Sequence, residues 1–316
     1  MSTKQHIVTP VKTNPEKNTL TVWEHPEFER MPSEKANGKP EFINGLQLNR
    51  GFFEDVVRPL MKKYFPELRY SAALTGHGSD VLGYDNESST DHNWGPRMVL
   101  FFRYSDFGLW SPRVDEMLRK CLPYLYKGFS TNFTKEDPNA YLRQVPEYID
   151  RGDVNHLFAL HSIRGFLKHY LAFDRDNEIG LYDWLTFPEQ NLLEVTAGEV
   201  YHDGLHELKR MRERFSYYPR DIWLYALRVQ WGKIHLEEQF QARTGDIGDE
   251  LGSSIAASKM VEKIMKMAFL LERKYAPYIK WLGTAFERLK LGQKLKPILL
   301  QIEREKNWEK RQDWIT

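Results

Sequence analysis

Residues 75–103 read TGHGSDVLGYDNESSTDHNWGPRMVLFFR, and no other stretch constrains the fold as much. Just upstream, YSAALT (70–75) has the composition of a buried strand, and MVLFFR (98–103) has it again. Between them lie a tight Gly76-His77-Gly78-Ser79 turn, a short segment at 81–84 and a polar run ending in Asp91-His92-Asn93. The order strand, turn, short segment, acidic turn, strand predicts a sheet with a polar site at the strand ends. Glycine lets the chain approach a ligand closely, so the turn leaves N–H groups and the Ser79 hydroxyl free to hold a phosphate. Asp91, at the edge of the next strand, can hold a divalent cation against that phosphate. The stretch predicts a nucleotide site.

Gly78-Ser79, a spacer of eleven residues, then Asp91-x-Asn93 resembles the Gly-Ser … Asp-x-Asp/Glu signature of the polymerase-beta-type nucleotidyltransferases. That superfamily includes the kanamycin nucleotidyltransferases. Longer segments carry a second resemblance: GSDVLGYD…STDHNWGPR, DWLTFPEQNLLEVTAGEVYHDG, YYPRDIW, QWGKIHLEEQFQARTGDIGDELGS and LERKYAPYIKWLGTAFERL. They look like an uncharacterised bacterial family described as a nucleotidyltransferase-like domain of unknown function, over roughly residues 40–295. The resemblance implies an α+β fold, with an N-terminal mixed sheet and flanking helices, then a helical domain closing the cleft. It implies Mg²⁺ held by Asp91 and Asn93, and ATP or another nucleoside triphosphate as substrate. The reaction implied is transfer of a nucleoside monophosphate to a hydroxyl of an unidentified small-molecule, protein or RNA acceptor. One departure matters. The second carboxylate of the signature is Asn93 here, which can coordinate through its carbonyl but brings no charge. A catalytically degenerate nucleotide- or ligand-binding protein is therefore the alternative expectation.

Composition bears on partners. Lys and Arg total 45 and Asp and Glu 44, which argues against a broad nucleic-acid surface. The single cysteine, Cys121, excludes an internal disulfide framework and fits a reducing compartment. The N-terminal residues have no signal-peptide core, and no apolar run reaches membrane-spanning length. The expected location is cytoplasmic.

Along the chain, residues 1–40 carry five prolines and predict an extended or partly disordered arm, with one possible short strand at 20–23. Residues 41–180 are expected to form the nucleotidyltransferase-like domain. Its first helix runs from Gly45, capped by Asn44 or Asn49, with Pro59 as a possible kink and Pro66 as its stop. HLFALH (156–161) predicts a third strand, and it contains no acid to complete a carboxylate set. Residues 181–316 are expected to be helical, with a basic helix at 205–215, a helix from 220 to about 243, another at 255–275, and a solvated charged tail, EREKNWEKRQDW.

Further candidates come from both halves. Arg97 and Arg103 bracket the second strand; each suits either a phosphate clamp or a structural ion pair. Asp85 or Glu87 could restore the missing charge, and His92 could orient or cap. In the helical half, Glu238 is the candidate general base for the acceptor hydroxyl, and Lys280 the candidate triphosphate contact. RTGDIGDELGS (243–253) packs three glycines and three acids between helices. It reads either as a cleft wall, with Asp249 toward the nucleotide, or as a helix connector with Asp capping. His202, Asp203 and His206 offer a weak zinc spacing.

Overall fold

The computed structural model describes residues 26–33, 38–140, 142–174 and 178–315. The expected strand at 20–23 lies outside them. Residues 26–33 are extended and docked: the Met31 N–H donates to Cys121 O at 2.8 Å, and Arg30 donates to the Leu122, Arg119 and Gly152 carbonyls.

The first helix begins where its sequence signals place it. Asn44 accepts the Gln47 N–H at the N-cap of α1 (Gly45–Phe52). The helix runs through a π turn, Phe53–Val57, into α2 (Arg58–Tyr64). Pro59 sits at the start of α2, where its missing N–H is absorbed by the wider turn before it.

A four-stranded mixed sheet follows, in the order β5-β2-β1-β6. Its strands are β1 (Ser71–Leu74), β2 (Val99–Phe101), β5 (Ala159–His161) and β6 (Glu199–Asp203). β1 is antiparallel to β2 and β6, and β2 is parallel to β5. A small hairpin, β3 (Leu125–Tyr126) with β4 (Phe129–Ser130), stands apart. All of β1 is buried, and alternate residues face different cores. Ala72 and Leu100 join the core under α1, α2 and α3 (Phe107–Cys121). Ala73, Val99 and Phe101 join the core under α4 (Ile163–Leu171), α6 (Glu189–Thr196) and α7 (Leu208–Arg214). Small residues on the central strand let both layers close onto it. Cys121 is fully buried in the first core, and burial pushes its thiol pKa up, as expected of a small hydrophobe.

The remaining helices are α5 (Leu181–Thr186), α8 (Arg220–Glu238), α9 (Phe240–Asp246), α10 (Glu250–Leu271), α11 (Ile279–Glu287), α12 (Lys290–Arg304) and α13 (Trp308–Ile315). A third core joins α10, α11 and α12. The α+β class is thus as expected. The division at residue 180 is not: β6 lies beyond it and pairs with β1, so the sheet draws on both halves of the chain. Among the described residues no helix is long and apolar enough to cross a membrane.

Candidate functional site

β1 ends at Leu74, and the chain turns through Gly76 and Gly78 at φ of 92° and 134°, values that L side chains rarely adopt. The turn is braced on every side. The Gly76 N–H and the Thr75 hydroxyl both donate to Glu194 O at the end of α6. The His77 N–H donates to the Tyr170 hydroxyl at 3.3 Å. A Cβ on Gly76 would meet that hydroxyl at 2.2 Å, and one on Gly78 would meet Asp80 Oδ1 at 2.2 Å and Arg97 Nη2 at 2.4 Å.

Arg97 is the brace underneath. Its Nε and Nη2 grip both carboxylate oxygens of Asp80 at 2.8 and 2.7 Å, and Nη2 also donates to His77 O at 2.7 Å. Asp80 is 1% exposed, so the pair is a buried fork. Burial alone would lower the Arg97 pKa, and the Asp80 carboxylate raises it. Of its two expected roles, the ion pair is the one observed: Nε and Nη2 are engaged by Asp80 and the turn, which Arg97 positions.

What the turn leaves unused is its amides. Among the described residues no acceptor meets the backbone N–H of Gly78, Ser79 or Asp80. The three residues that carry these donors line a cleft of about 480 Å³. Lys280 at the start of α11, Asp91, Asn93 and the His77 ring line the same cleft. Lys280 has no carboxylate partner among the described residues, and its ammonium lies 5.1 Å from the Trp281 ring centre. His77 Nδ1 lies 2.9 Å from Glu194 Oε1, which also accepts from Gln190 Nε2 at 2.7 Å. The Glu194 side chain is 4% exposed and the His77 ring 86%: a buried carboxylate orients an open imidazole. That hydrogen bond raises the His77 pKa above its ordinary 6.5, against an opposing burial effect and the nearby Arg97 charge.

The acidic turn is less available than its sequence suggests. Asp91 closes a short 3₁₀ turn (Glu87–Asp91), and its Oδ2 lies 2.8 Å from His92 Nδ1 and 3.7 Å from Arg143. Burial raises its pKa, but the His92 hydrogen bond and the charges of His92 and Arg143 together outweigh it and hold the pKa below the usual carboxylate value. Asn93 sits at φ 48°, in the left-handed region that asparagine tolerates. Its N–H donates to Gln144 O and its Oδ1 accepts the Gln144 N–H, both at 2.8 Å. The residue is a latch between two loops. The expected Mg²⁺ therefore meets a poor donor set: Asp80 is held by Arg97, the Asn93 carbonyl by Gln144, and Asp91 by His92. Among the described residues no group of three His, Cys, Asp or Glu side chains gathers for a metal.

Several expected members lie elsewhere. Asp249 is the N-cap of α10, accepting the Gly252 N–H at 2.8 Å. The glycine-rich stretch around it faces the tail: a Cβ on Gly245 would meet Trp308 Cγ at 2.3 Å. That corrects the cleft-wall reading; the tail is mostly exposed, as expected, except that Arg311 is 4% exposed and donates to Ser253 Oγ and Glu305 O. Glu238 ends α8, 3.9 Å from His235, and does not line the cleft. Asp85 accepts the Gly45 N–H and the Trp94 indole N–H, and Glu87 pairs with Lys39, so neither supplies a charge to Asp91. Arg103 lines a different cavity, beside Arg69 and Asp106. Asp203 caps α7 through the Leu208 and Lys209 N–H groups, which accounts for it without zinc.

Asp80, His77, Glu194 and Gln144 were not singled out from the sequence. A signal existed for the first: in an antiparallel β1–β2 pair, residues just after β1 lie beside those just before β2, which brings Asp80 to Arg97. Glu194 had none, because it arrives from α6, 119 residues after the Thr75 it braces.

Residues 184–282, from α5 into α11, match the profile of a family described as Domain of unknown function (DUF4037). No curated protein matches the chain. Among solved structures, a nucleotidyltransferase-like protein from Exiguobacterium sibiricum 255-15 aligns over 83% of this chain and 71% of its own, at 10% identity and a TM-score of 0.35. That superposition is too loose to transfer a residue.

Proposed function

We propose that the cleft binds the phosphates of a nucleotide, with the Gly78–Asp80 amides as its floor and His77 and Lys280 as its charges. The observation that carries this is the row of three unpartnered amides just after a central strand, in residues that line a cleft together with Lys280. Consecutive amides in a turn with left-handed residues form an anion-binding concavity. Two glycines at positive φ and a buried Asp80–Arg97 fork hold three amides that make no internal bond. Of the two expectations, a nucleotide-binding protein with weakened or absent transfer chemistry fits the donor set better than a Mg²⁺-dependent nucleotidyltransferase.

The transfer reading keeps one observation in its favour. Asp91 lines the cleft as a carboxylate held in its charged form, opposite the amides. Calorimetry with each nucleoside triphosphate, with and without Mg²⁺, separates the two. Metal-independent binding, lost in Ser79→Pro and weakened in Lys280→Met, is the expected result. Binding that requires Mg²⁺ and vanishes in Asp91→Ala would restore the transfer reading. Failure of every nucleotide to bind would end both.

A further inference from the structure

A second cavity, of about 440 Å³, shares no lining residue with the first. The two back onto neighbouring residues of α6, Leu193 in one and Glu194 in the other. Four cations line it, Arg212, Arg273, Lys274 and Arg288, and no carboxylate does. None of the four is in an ion pair among the described residues. Arg212 donates to Ala197 O through Nη2, while its buried Nε has no partner. The acid that acts on it, Glu199, is itself 2.6 Å from Arg50. Arg288 lies over the Tyr84 ring at 4.2 Å and donates to Gly83 O, and Arg273 lies over the Trp223 ring at 4.2 Å. Rings and carbonyls hold these guanidiniums in place without neutralising them.

Helix ends account for part of the charge. α6, α10 and α11 all finish at this cavity, and cations suit helix C-termini. Each end carries about −0.5 of a charge, so three offset roughly −1.5 against four full positive charges. A surplus of about two and a half charges is left in a concave, acid-free site.

We propose that this cavity is a binding site for a small phosphate-bearing oligoanion, separate from the Gly-Ser cleft. The test is calorimetry of the full chain with inorganic tripolyphosphate at low salt. The expected result is binding that falls about tenfold or more in R273Q/K274Q and survives Lys280→Met. Arg288→Gln, which leaves α10 untouched, should weaken it as well and serves if the double variant does not fold. No binding by the native chain, or binding indifferent to both variants, would overturn the proposal and leave the cations serving only the helix ends. Because nucleotide binding at the first cleft is read through Ser79 and Lys280, either site can fail without the other.

Discussion

Two glycine-rich stretches of this chain look alike in sequence and do opposite things. Residues 76–80, GHGSD, and residues 245–253, GDIGDELGS, each mix glycine, serine and aspartate at a junction between regular elements. In the second, Asp249 caps α10, the Ser253 hydroxyl donates to Gln241 O, and Trp308 closes over Gly245. In the first, two side chains are used and the last three amides are not. Asp80 goes to Arg97 and His77 to Glu194, while three consecutive N–H groups, in residues that line a cleft, have no acceptor. Glycine in one place makes room for a neighbouring ring, and in the other exposes backbone. What distinguishes a connector from a site is whether a run of backbone donors is left without partners, and composition does not report that.

The largest effect should come from the brace. Arg97→Met leaves Asp80 buried without its partner, and breaking a buried pair in this way costs about 3–5 kcal/mol. Denaturant unfolding should show that loss together with lost nucleotide binding. If stability held and binding persisted, the turn would not depend on the fork. Trp308→Ala should break only the other half of the comparison. The ring is half-buried, so a loss of about 2–3 kcal/mol is expected, with nucleotide affinity unchanged. A change in affinity would mean that the 245–253 stretch communicates with the cleft after all.

Much of this architecture was legible beforehand, for a physical reason. The strands β1, β2 and β5 are short apolar runs bounded by turn residues, and helix ends carry caps such as Asn44 and stops such as Pro66. β6 carries no strand signal because EVYHD holds only two apolar residues, side by side, in five positions and is partly exposed throughout. The site divided in the same way. Gly78, Ser79, Asp91, Asn93, Arg97 and Lys280 do come to one cleft. Their roles depend on partners far along the chain, such as Gln144 for Asn93 and Asp80 for Arg97, which no local pattern specifies. Glu238 and Asp249 were placed by residue type alone, and type does not say which way a helix end faces.

A smaller effect sharpens the ligand side. Lys280→Met removes a cation from the cleft without touching a core, since Lys280 is exposed. A charged contact of this kind is worth about 1.5–3 kcal/mol when fully engaged, so nucleotide affinity should fall about tenfold or more while the unfolding midpoint stays put. Unchanged affinity would place the phosphates elsewhere.

The smallest effect is in pH. The Glu194 hydrogen bond raises the His77 pKa in the folded chain, so the imidazole there stays charged to higher pH than in the unfolded chain. Its contribution to stability is fully present below about pH 6.5 and is lost as pH rises through the raised value. Phosphate binding should follow the same direction, because the charged ring faces the cleft beside the unpartnered amides. Nucleotide affinity should fall a few-fold between slightly acidic and alkaline pH, and His77→Gln should flatten that profile while Asp249→Asn should not. The imidazole is open to solvent, so screening keeps the effect modest, and added salt should shrink it further. A profile as steep in His77→Gln as in the native chain would remove His77 from the site and leave the amides and Lys280 to hold the ligand.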